Sequence, residues 1–197
     1  MEKKFFILIG RSGSGKGTQA KLLQDYLKDK GAESVLHITT GGGFRNFIEE
    51  ENYTAILSKY VNDKGLLQPE FLAIWNWSSI FINNLREEDS VILDGAPRKT
   101  YEVPALHSAI NFYGFSKPIV IYIDVSEGVS KERLLERGRG DDKEEEIARR
   151  MDWFDVDVLS VIDSYKNDQR YDFVHVNGEK SVIEVHDQII EKLALLD

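Results

Sequence analysis

The feature that most constrains this chain is a glycine-rich loop between a short apolar run and an amphipathic segment. The apolar run covers residues 5–9 (FFILI) and the loop covers residues 10–18 (GRSGSGKGT). Ala20, Leu23 and Leu27 then recur at the spacing of one buried helix face. A strand that enters a helix through such a loop is typical of a phosphate-binding loop. The alternative is a flexible turn between a core strand and a helix.

The residue types in this loop explain how it would bind an anion. Glycine tolerates positive φ and lets the backbone approach a ligand closely, so N–H groups between Gly10 and Gly17 can point at a phosphate. The N-terminus of the following helix adds partial positive charge, and Lys16 adds a full charge. The general pattern GxxxxGK[ST] has a magnesium-binding hydroxyl directly after the lysine, whereas this chain has Gly17 there and Thr18 one residue later.

Length, charge and cysteine content limit the classes of protein open to this chain. Its 197 residues suit one α/β domain with small insertions. The formal net charge is −9, from 25 Lys and Arg against 34 Asp and Glu, so we expect no nucleic-acid or membrane partner. The absence of cysteine excludes disulfides and cysteine-bound zinc. Residues 5–9 are too short for a signal peptide or a membrane span, and we expect a cytoplasmic protein.

Short apolar runs alternate with longer amphipathic segments along the chain. The predicted strands are residues 5–9, 35–38, 91–93, 119–123 and 173–176. The helical segments between them predict an α/β fold with a parallel sheet and right-handed crossovers. The last helix has a capping box at Ser181 and Glu184. Its predicted buried face consists of Val182, Val185, Ile189 and Leu193.

Two connections are longer than a crossover needs. Residues 41–85 separate the second and third strands and predict three helices, at 42–50, 53–62 and 69–85. The other connection covers residues 133–150 and is rich in both basic and acidic side chains. Long insertions beside a phosphate loop are where a second substrate and a closing lid would lie. Ordinary surface helices are the alternative for both.

The motif HITTGGGFR at residues 37–45 follows the second predicted strand. The carboxyl ends of strands form the ligand-binding edge of an open α/β sheet. Thr40 offers a hydroxyl there, and Arg45 lies one turn into the helix that follows. The alternative is a structural turn with a surface arginine.

The motif SVILDGAPR at residues 90–98 is more specific. A strand that ends in Asp94 places a carboxylate beside the phosphate loop, where it can hold magnesium directly or through water. Gly95 and Pro97 then predict a turn that presents Arg98 to the cleft. The alternative is an aspartate that merely ends a strand.

The third motif, RLLERGRGDD at residues 133–142, places several arginines close together in an acidic chain. Arg133 and Arg137 share a helix face, Arg139 lies between glycines, and Arg150 follows on the next helix. Such a cluster suits a clamp for a transferring phosphoryl group, which needs positioning and charge rather than an acid or base. The alternative is a surface hairpin held by salt bridges to Asp141, Asp142 and residues 144–146.

Together these motifs resemble nucleoside monophosphate kinases, and most closely adenylate kinases with a short lid. The resemblance covers essentially the whole chain, and Gly17 followed by Thr18 is typical of that family. It implies a five-stranded parallel sheet in the order 2-3-1-4-5 and three parts of the chain. These parts are a core (residues 1–39, 86–135 and 151–197), a monophosphate-binding insertion (40–85) and a mobile lid (136–150). Only three residues separate Arg137 from Asp141, which excludes a long zinc-bearing lid.

The resemblance also implies a reaction and a set of roles. The reaction is ATP + NMP ⇌ ADP + NDP with Mg²⁺, AMP is the favoured acceptor, and a monomer is expected. The residues implied for ATP are Gly13, Ser14, Gly15, Lys16, Gly17, Thr18, Arg133 and Arg137. Those implied for the monophosphate are Thr40, Gly41, Arg45, Gln68, Gly95, Arg98, Glu102, Arg139 and Arg150. The implied catalytic set is Lys16, Arg98, Arg137, Arg139 and Arg150, and Thr18 and Asp94 would serve Mg²⁺.

The sequence departs from the family pattern at Ser12 (usually Pro), Gly42 (usually Asp), Ala96 (usually Phe) and Glu102 (usually Gln). The last departure concerns the acceptor base, because a carboxylate only accepts hydrogen bonds, whereas an amide can also donate to adenine N1. Relaxed selectivity, or a shift toward GMP, is therefore an alternative to AMP. A one-residue shift that puts Tyr101 or Val103 at this position is another alternative.

Two further functions remain open from the sequence. One is a different P-loop kinase with a small non-nucleotide acceptor. The other is a nucleotide-binding module without catalysis, which the arginine set disfavours because a binder has little use for a transition-state clamp.

Overall fold

The computed structural model describes residues 2–140 and 142–196, so Asp141 of the third motif lies outside the described residues. The strands are β1 (Phe5–Ile9), β2 (Ser34–Thr39), β3 (Asp89–Asp94), β4 (Ile119–Asp124) and β5 (Asp172–Asn177). The helices of the first half are α1 (Lys16–Asp29), α2 (Thr40–Phe47), α3 (Tyr53–Asp63), α4 (Glu70–Asn84) and α5 (Glu102–Phe112). Those of the second half are α6 (Glu127–Arg137), α7 (Glu144–Trp153), a π-helix (Phe154–Val158), α8 (Leu159–Lys166) and α9 (Val182–Leu193).

The five strands form one parallel sheet in the order β2-β3-β1-β4-β5, which confirms the predicted fold. All five residues of β1 are buried, because helices cover both faces of the sheet at its centre. Ile7 pairs with Leu93 of β3 and with Val120 of β4. This register places the loop after β1 beside Asp94 at the carboxyl edge of the sheet.

The connection between β2 and β3 contains three helices, as predicted, but the first begins two residues early. Thr39 has extended backbone angles and directly precedes α2, so the helix starts as the strand ends. The Asn76 amide of α4 donates to the Thr40 carbonyl and holds this start in place. The predicted start at Gly42 was therefore wrong, and Thr40 is the first helical residue.

The last helix confirms the predicted capping box and corrects one buried residue. The Ser181 hydroxyl accepts from the Glu184 N–H, and the Glu184 carboxylate accepts from the Ser181 N–H. Val185, Ile189 and Leu193 are buried, but Val182 is 50% exposed. Val182 opens the helix, and its side chain lies off the buried face.

In the described part of the chain, no helix has both the length and the apolar character that a membrane crossing requires.

Candidate active site

The glycine loop packs against α6 at Gly13, where there is no room for a side chain. Gly13 and Gly15 have φ of 83° and 93°, in the left-handed region that glycine adopts at little cost. A Cβ on Gly13 would lie 2.8 Å from the Ser130 carbonyl oxygen of α6. The Gly15 carbonyl accepts from the N–H groups of Thr18 and Gln19 and starts α1. The loop therefore has the tight backbone geometry that the sequence predicted.

Lys16 is held inside this loop by backbone oxygens. Its Nζ donates to the carbonyls of Gly10 and Arg11, at 2.8 Å each. Burial lowers the pKa of Lys16 to about 8, and the charges of Arg98 and Arg137 act in the same direction against the opposing effect of Asp94. The ammonium is thus strongly desolvated and is adjacent to other cations, an environment that favours a bound anion.

The turn after β3 presents Arg98 toward the start of α2. Arg98 Nε donates to the Gly95 carbonyl at 2.8 Å, and the Thr40 hydroxyl donates to the same oxygen at 2.9 Å. A Cβ on Gly41 would lie 3.4 Å from Arg45 Nη1 and 4.0 Å from Arg98 Nη2. Burial lowers the pKa of Arg98, while the charges of Glu102 and Asp94 act to raise it. Two guanidinium groups therefore meet at the N-terminus of α2, an anion-binding arrangement.

Glu102 is buried, with 3% of its surface exposed, at the start of α5. Its Oε1 accepts from the backbone N–H groups of Arg98 (2.9 Å) and Lys99 (3.1 Å). This carboxylate thus fixes the turn that carries Arg98, in addition to lining the same cavity. Val103 packs in the apolar core, which argues against the alternative that places it at the base-reading position.

Asp142 joins three arginines of the predicted lid, and the sequence predicts no such role for it beyond a surface salt bridge. Its carboxylate has no exposed surface and accepts from Arg137 Nε (2.9 Å) and Nη2 (2.7 Å), and from Arg150 Nη1 (3.0 Å). The Arg139 N–H also donates to it, at 3.1 Å. Although burial raises it, the pKa of Asp142 is held below its ordinary value by these bonds and charges. The salt bridges of the alternative interpretation exist, but at a buried carboxylate rather than in a surface hairpin.

The glycine loop, the turn that carries Arg98, the start of α2 and the three lid arginines line one cavity of about 1070 Å³. Every residue predicted for ATP, for the monophosphate, for catalysis or for Mg²⁺ is part of its lining. The lining also includes Trp153 and Lys180, which the sequence analysis did not single out. These could not be found by motif, because they reach the cavity from helices and loops that are distant in sequence.

The end of the cavity beside β5 and α9 is made by backbone carbonyls. Arg133 Nη1 donates to the Gly178 carbonyl at 2.9 Å, and Gln19 Nε2 donates to the Val182 carbonyl at 2.8 Å. These bonds fix α6 and α1 against the loop between β5 and α9. Arg133 is thereby placed on the cavity wall with its planar guanidinium held.

The residues predicted for Mg²⁺ fit that ion in position and chemistry. Asp94 Oδ2 faces the loop at Gly17, where a Cβ would lie 3.6 Å from it. Thr18 is exposed to the same cavity, and hydroxyl and carboxylate oxygens are ligands that suit Mg²⁺. Among residues 2–140 and 142–196, no three His, Asp or Glu side chains cluster in a way that could hold a metal ion. The protein would therefore share the ion with phosphate oxygens and water.

Comparisons with known proteins agree with this arrangement. The family model described as adenylate kinase matches residues 8–170. An adenylate kinase of Prochlorococcus marinus (strain MIT 9515) is 33% identical, over 92% of this chain and 94% of its own length. Adenylate kinase 1 of a Nostoc species is 33% identical, over 91% and 92%, and an adenylate kinase of Oenococcus oeni is 31% identical, over 91% and 93%.

These matches do not favour a kinase with a non-nucleotide acceptor or a binding module without catalysis. The chain is a phosphotransferase of the nucleoside monophosphate kinase class, and it belongs to the adenylate kinase family.

Proposed function

We propose that this protein catalyses the Mg²⁺-dependent reaction ATP + AMP ⇌ 2 ADP. The observation that carries the proposal is the convergence on one cavity of the glycine loop, of a second phosphate-binding loop and of the lid arginines. The second loop is the turn after β3 (residues 95–99), whose Arg98 meets Arg45 at the N-terminus of α2. One loop binds the donor, the other binds the acceptor, and the arginines bridge the space between them. A simple ATP-binding site has no use for the second loop.

The donor nucleotide occupies the side of the glycine loop. The backbone from Gly13 to Thr18 and the Lys16 ammonium bind the β- and γ-phosphates, because inward N–H groups and a desolvated cation suit a polyanion. Arg133, held by the Gly178 carbonyl, stacks on the donor base with its guanidinium plane. Thr18 and Asp94 hold Mg²⁺, which neutralises charge on the phosphates when it is bound.

The acceptor occupies the side of α2 and the turn after β3. Arg45 and Arg98 bind the α-phosphate of AMP at the N-terminus of α2, beside Gly41. Thr40 and Gly95 shape this subsite through their shared hydrogen bond. Gln68 and Glu102 lie where the acceptor base would be recognised, and both line the cavity.

Transfer requires alignment and charge stabilisation rather than a general acid or base. The γ-phosphoryl group passes from ATP to AMP while Lys16, Arg137 and Arg150 stabilise its equatorial oxygens. Arg139 approaches from the lid, and Arg98 holds the attacking phosphate. Desolvation of Lys16 and Arg98 strengthens their electrostatic effect, because little water remains to screen them.

We further propose how the chain divides and where it works. Residues 40–85 form the acceptor-binding insertion, residues 136–150 form a mobile lid, and residues 1–39, 86–135 and 151–197 form the core. The lid moves to admit substrates and excludes water when it closes. The protein acts as a cytoplasmic monomer, and its net charge of −9 disfavours a nucleic-acid or anionic membrane partner.

The experiment that tests this proposal is steady-state phosphorylation of AMP, GMP, CMP and UMP with ATP and Mg²⁺. We expect AMP to be the preferred acceptor, and we expect Lys16→Ala and Arg98→Ala each to lose roughly 10²- to 10³-fold in turnover. The exposed Arg86, outside the cavity lining, provides the control variant Arg86→Ala with unchanged turnover. Turnover that needs no monophosphate, or normal turnover in Arg98→Ala, would refute the assigned roles.

A further inference from the structure

A π-helix joins the lid helix to the rest of the molecule. Helix α7, the π-helix (Phe154–Val158) and α8 follow one another without interruption from Glu144 to Lys166. A π-turn inside a helix is rare, because its wider turn aligns hydrogen bonds poorly, and such turns concentrate at functional sites. The residues that contact this π-turn therefore indicate its function.

Arg11, the second residue of the glycine loop, reaches the π-helix rather than the cavity. Its Nη2 donates to Asp155 Oδ1 at 2.5 Å, and its guanidinium lies 4.3 Å from the centre of the Phe154 ring. The Arg11 side chain is 15% exposed and is held between the Phe154 ring and the Asp155 carboxylate, which is itself 45% exposed. The Arg11 carbonyl also accepts from Lys16 Nζ. One residue thus connects the lysine of the donor site to the π-helix.

Residues around the π-helix also contact the turn after β3, which carries Arg98 and Lys99. The Arg98 guanidinium lies 5.4 Å from the centre of the Trp153 ring, directly before the π-helix. Asp157 of the π-helix lies 3.8 Å from Lys99 Nζ, the residue after Arg98. Residues 153–157 therefore contact both the glycine loop and the turn after β3.

The lid arginine Arg150 lies on α7, less than one turn before Trp153. It binds the buried Asp142 carboxylate together with Arg137. A shift of the π-helix relative to the glycine loop would move Arg150 relative to Lys16. The π-helix is thus a junction between the two phosphate sites and the lid.

We propose that Arg11 is a positioning residue that ties the glycine loop to the π-helix and so sets the distance between Lys16 and Arg150 during transfer. This inference rests on the proposed function for its kinetic meaning. Arg11 itself does not touch the substrates, because its guanidinium is held by Asp155 and Phe154.

The test compares Arg11→Met, which keeps the aliphatic stem and removes the charge, with a matched control. Lys117 and Asp172 form an ion pair of the same 2.5 Å length far from the cavity, so Lys117→Met is that control. We expect Arg11→Met to lower kcat roughly tenfold with KM for both nucleotides within about twofold, as for a small misplacement of catalytic groups. Arg11→Met should lose at least as much thermal stability as Lys117→Met, because Arg11 is the less exposed of the two side chains (15% against 52%).

Asp155 provides the second arm of the test. Asp155→Asn should lower kcat as Arg11→Met does, and the double variant should be no worse than either single variant. Arg11→Lys should restore part of the rate, since it keeps the charge. Additive losses, a turnover equal to that of Lys117→Met, or a raised KM for ATP in Arg11→Met alone would overturn the proposal.

A binding measurement separates this proposal from the proposed function. Wild-type turnover of AMP tests the function by itself. Independently, hydrogen exchange should show that ATP protects the α7 amides in the wild type and that Arg11→Met loses this protection while still binding ATP. Equal protection in both proteins would overturn the coupling even if AMP is phosphorylated.

Discussion

The glycine loop at residues 10–18 and the proposed lid at residues 136–150 bring positive charge to the same cavity in different ways. In the loop, glycine backbone and the two carbonyls around Lys16 form the site, and a fully buried strand supports it. In the lid, side chains do the positioning, because the Asp142 carboxylate draws Arg137 and Arg150 together. A site built from backbone is rigid and can be predicted from the local sequence. A site built on one buried carboxylate depends instead on contacts between side chains of different elements.

This difference predicts that the lid fails when one carboxylate loses its charge. Asp142→Asn removes the anion that two arginines share, and it leaves both of them less well fixed. We expect kcat to fall roughly 10²-fold and the free energy of unfolding to fall by about 1–3 kcal/mol. Asp168→Asn, which breaks the pair between Asp168 and the exposed Arg170, is the control and should change neither measurably.

Because the pKa of Asp142 is lowered, the stability that this carboxylate contributes should depend on pH. A carboxyl pKa held below its unfolded value stabilises the folded state above about pH 4 and loses this contribution as the pH falls through the folded pKa. The difference in thermal stability between wild type and Asp142→Asn should therefore shrink in acid. A difference that stays constant from pH 7 down to pH 3 would contradict the ionic role of Asp142.

A smaller effect is expected at the acceptor base. Glu102 accepts from two backbone N–H groups, and a glutamine oxygen can do the same, so Glu102→Gln should preserve the turn that carries Arg98. The added N–H₂ can donate to adenine N1, and we expect kcat/KM for AMP to rise about tenfold while that for GMP falls. The exposed Glu87 supplies the control Glu87→Gln. A wild-type enzyme strongly selective for AMP and unchanged by Glu102→Gln would remove Glu102 from base recognition.

The smallest effect concerns the protonation of Lys16. Since the pKa of Lys16 is about 8, its ammonium is lost as the pH rises through that value, and ATP then loses a cation. Between pH 7 and 8.5 the protonated fraction falls roughly fourfold, and the apparent Kd for ATP should rise by the same factor. Lys16→Arg stays charged and should bind ATP with a flat profile over this range. A flat profile in the wild type would place the Lys16 pKa well above 8.

The sequence predicted the loop side of this comparison better than the lid side. Apolar runs located all five strands to within two residues, because strands buried in a parallel sheet are almost continuously apolar. The strand order came from the family resemblance rather than from any run of residues. Asp142 carried only a weak local signal, an acid after a glycine-flanked arginine, since its burial depends on how α6 and α7 fold together.

Two other features of the structure could not be predicted from the local sequence. Arg11 and Asp155 are 144 residues apart in the chain, so no spacing in the sequence marks their contact. Residues 154–158 likewise carry no local signal for a π-turn in place of an α-turn. The exposed Val182 was assigned to the buried face because it fits the helical period, which says nothing about how the first turn of α9 sits against its neighbours. The local sequence pattern therefore predicts the position of the glycine loop, whereas tertiary contacts determine how the lid arginines are arranged.

In this enzyme the glycine loop and the lid arginines are expected to act on one transferring phosphoryl group. A single-turnover experiment with γ-labelled ATP and unlabelled AMP tests this most directly, with the products separated and the label located. The structure predicts that the label appears in the β-phosphate of ADP formed from AMP, and that Asp142→Asn slows its appearance without diverting it. Label found only in inorganic phosphate, or no transfer from bound ATP, would contradict the account.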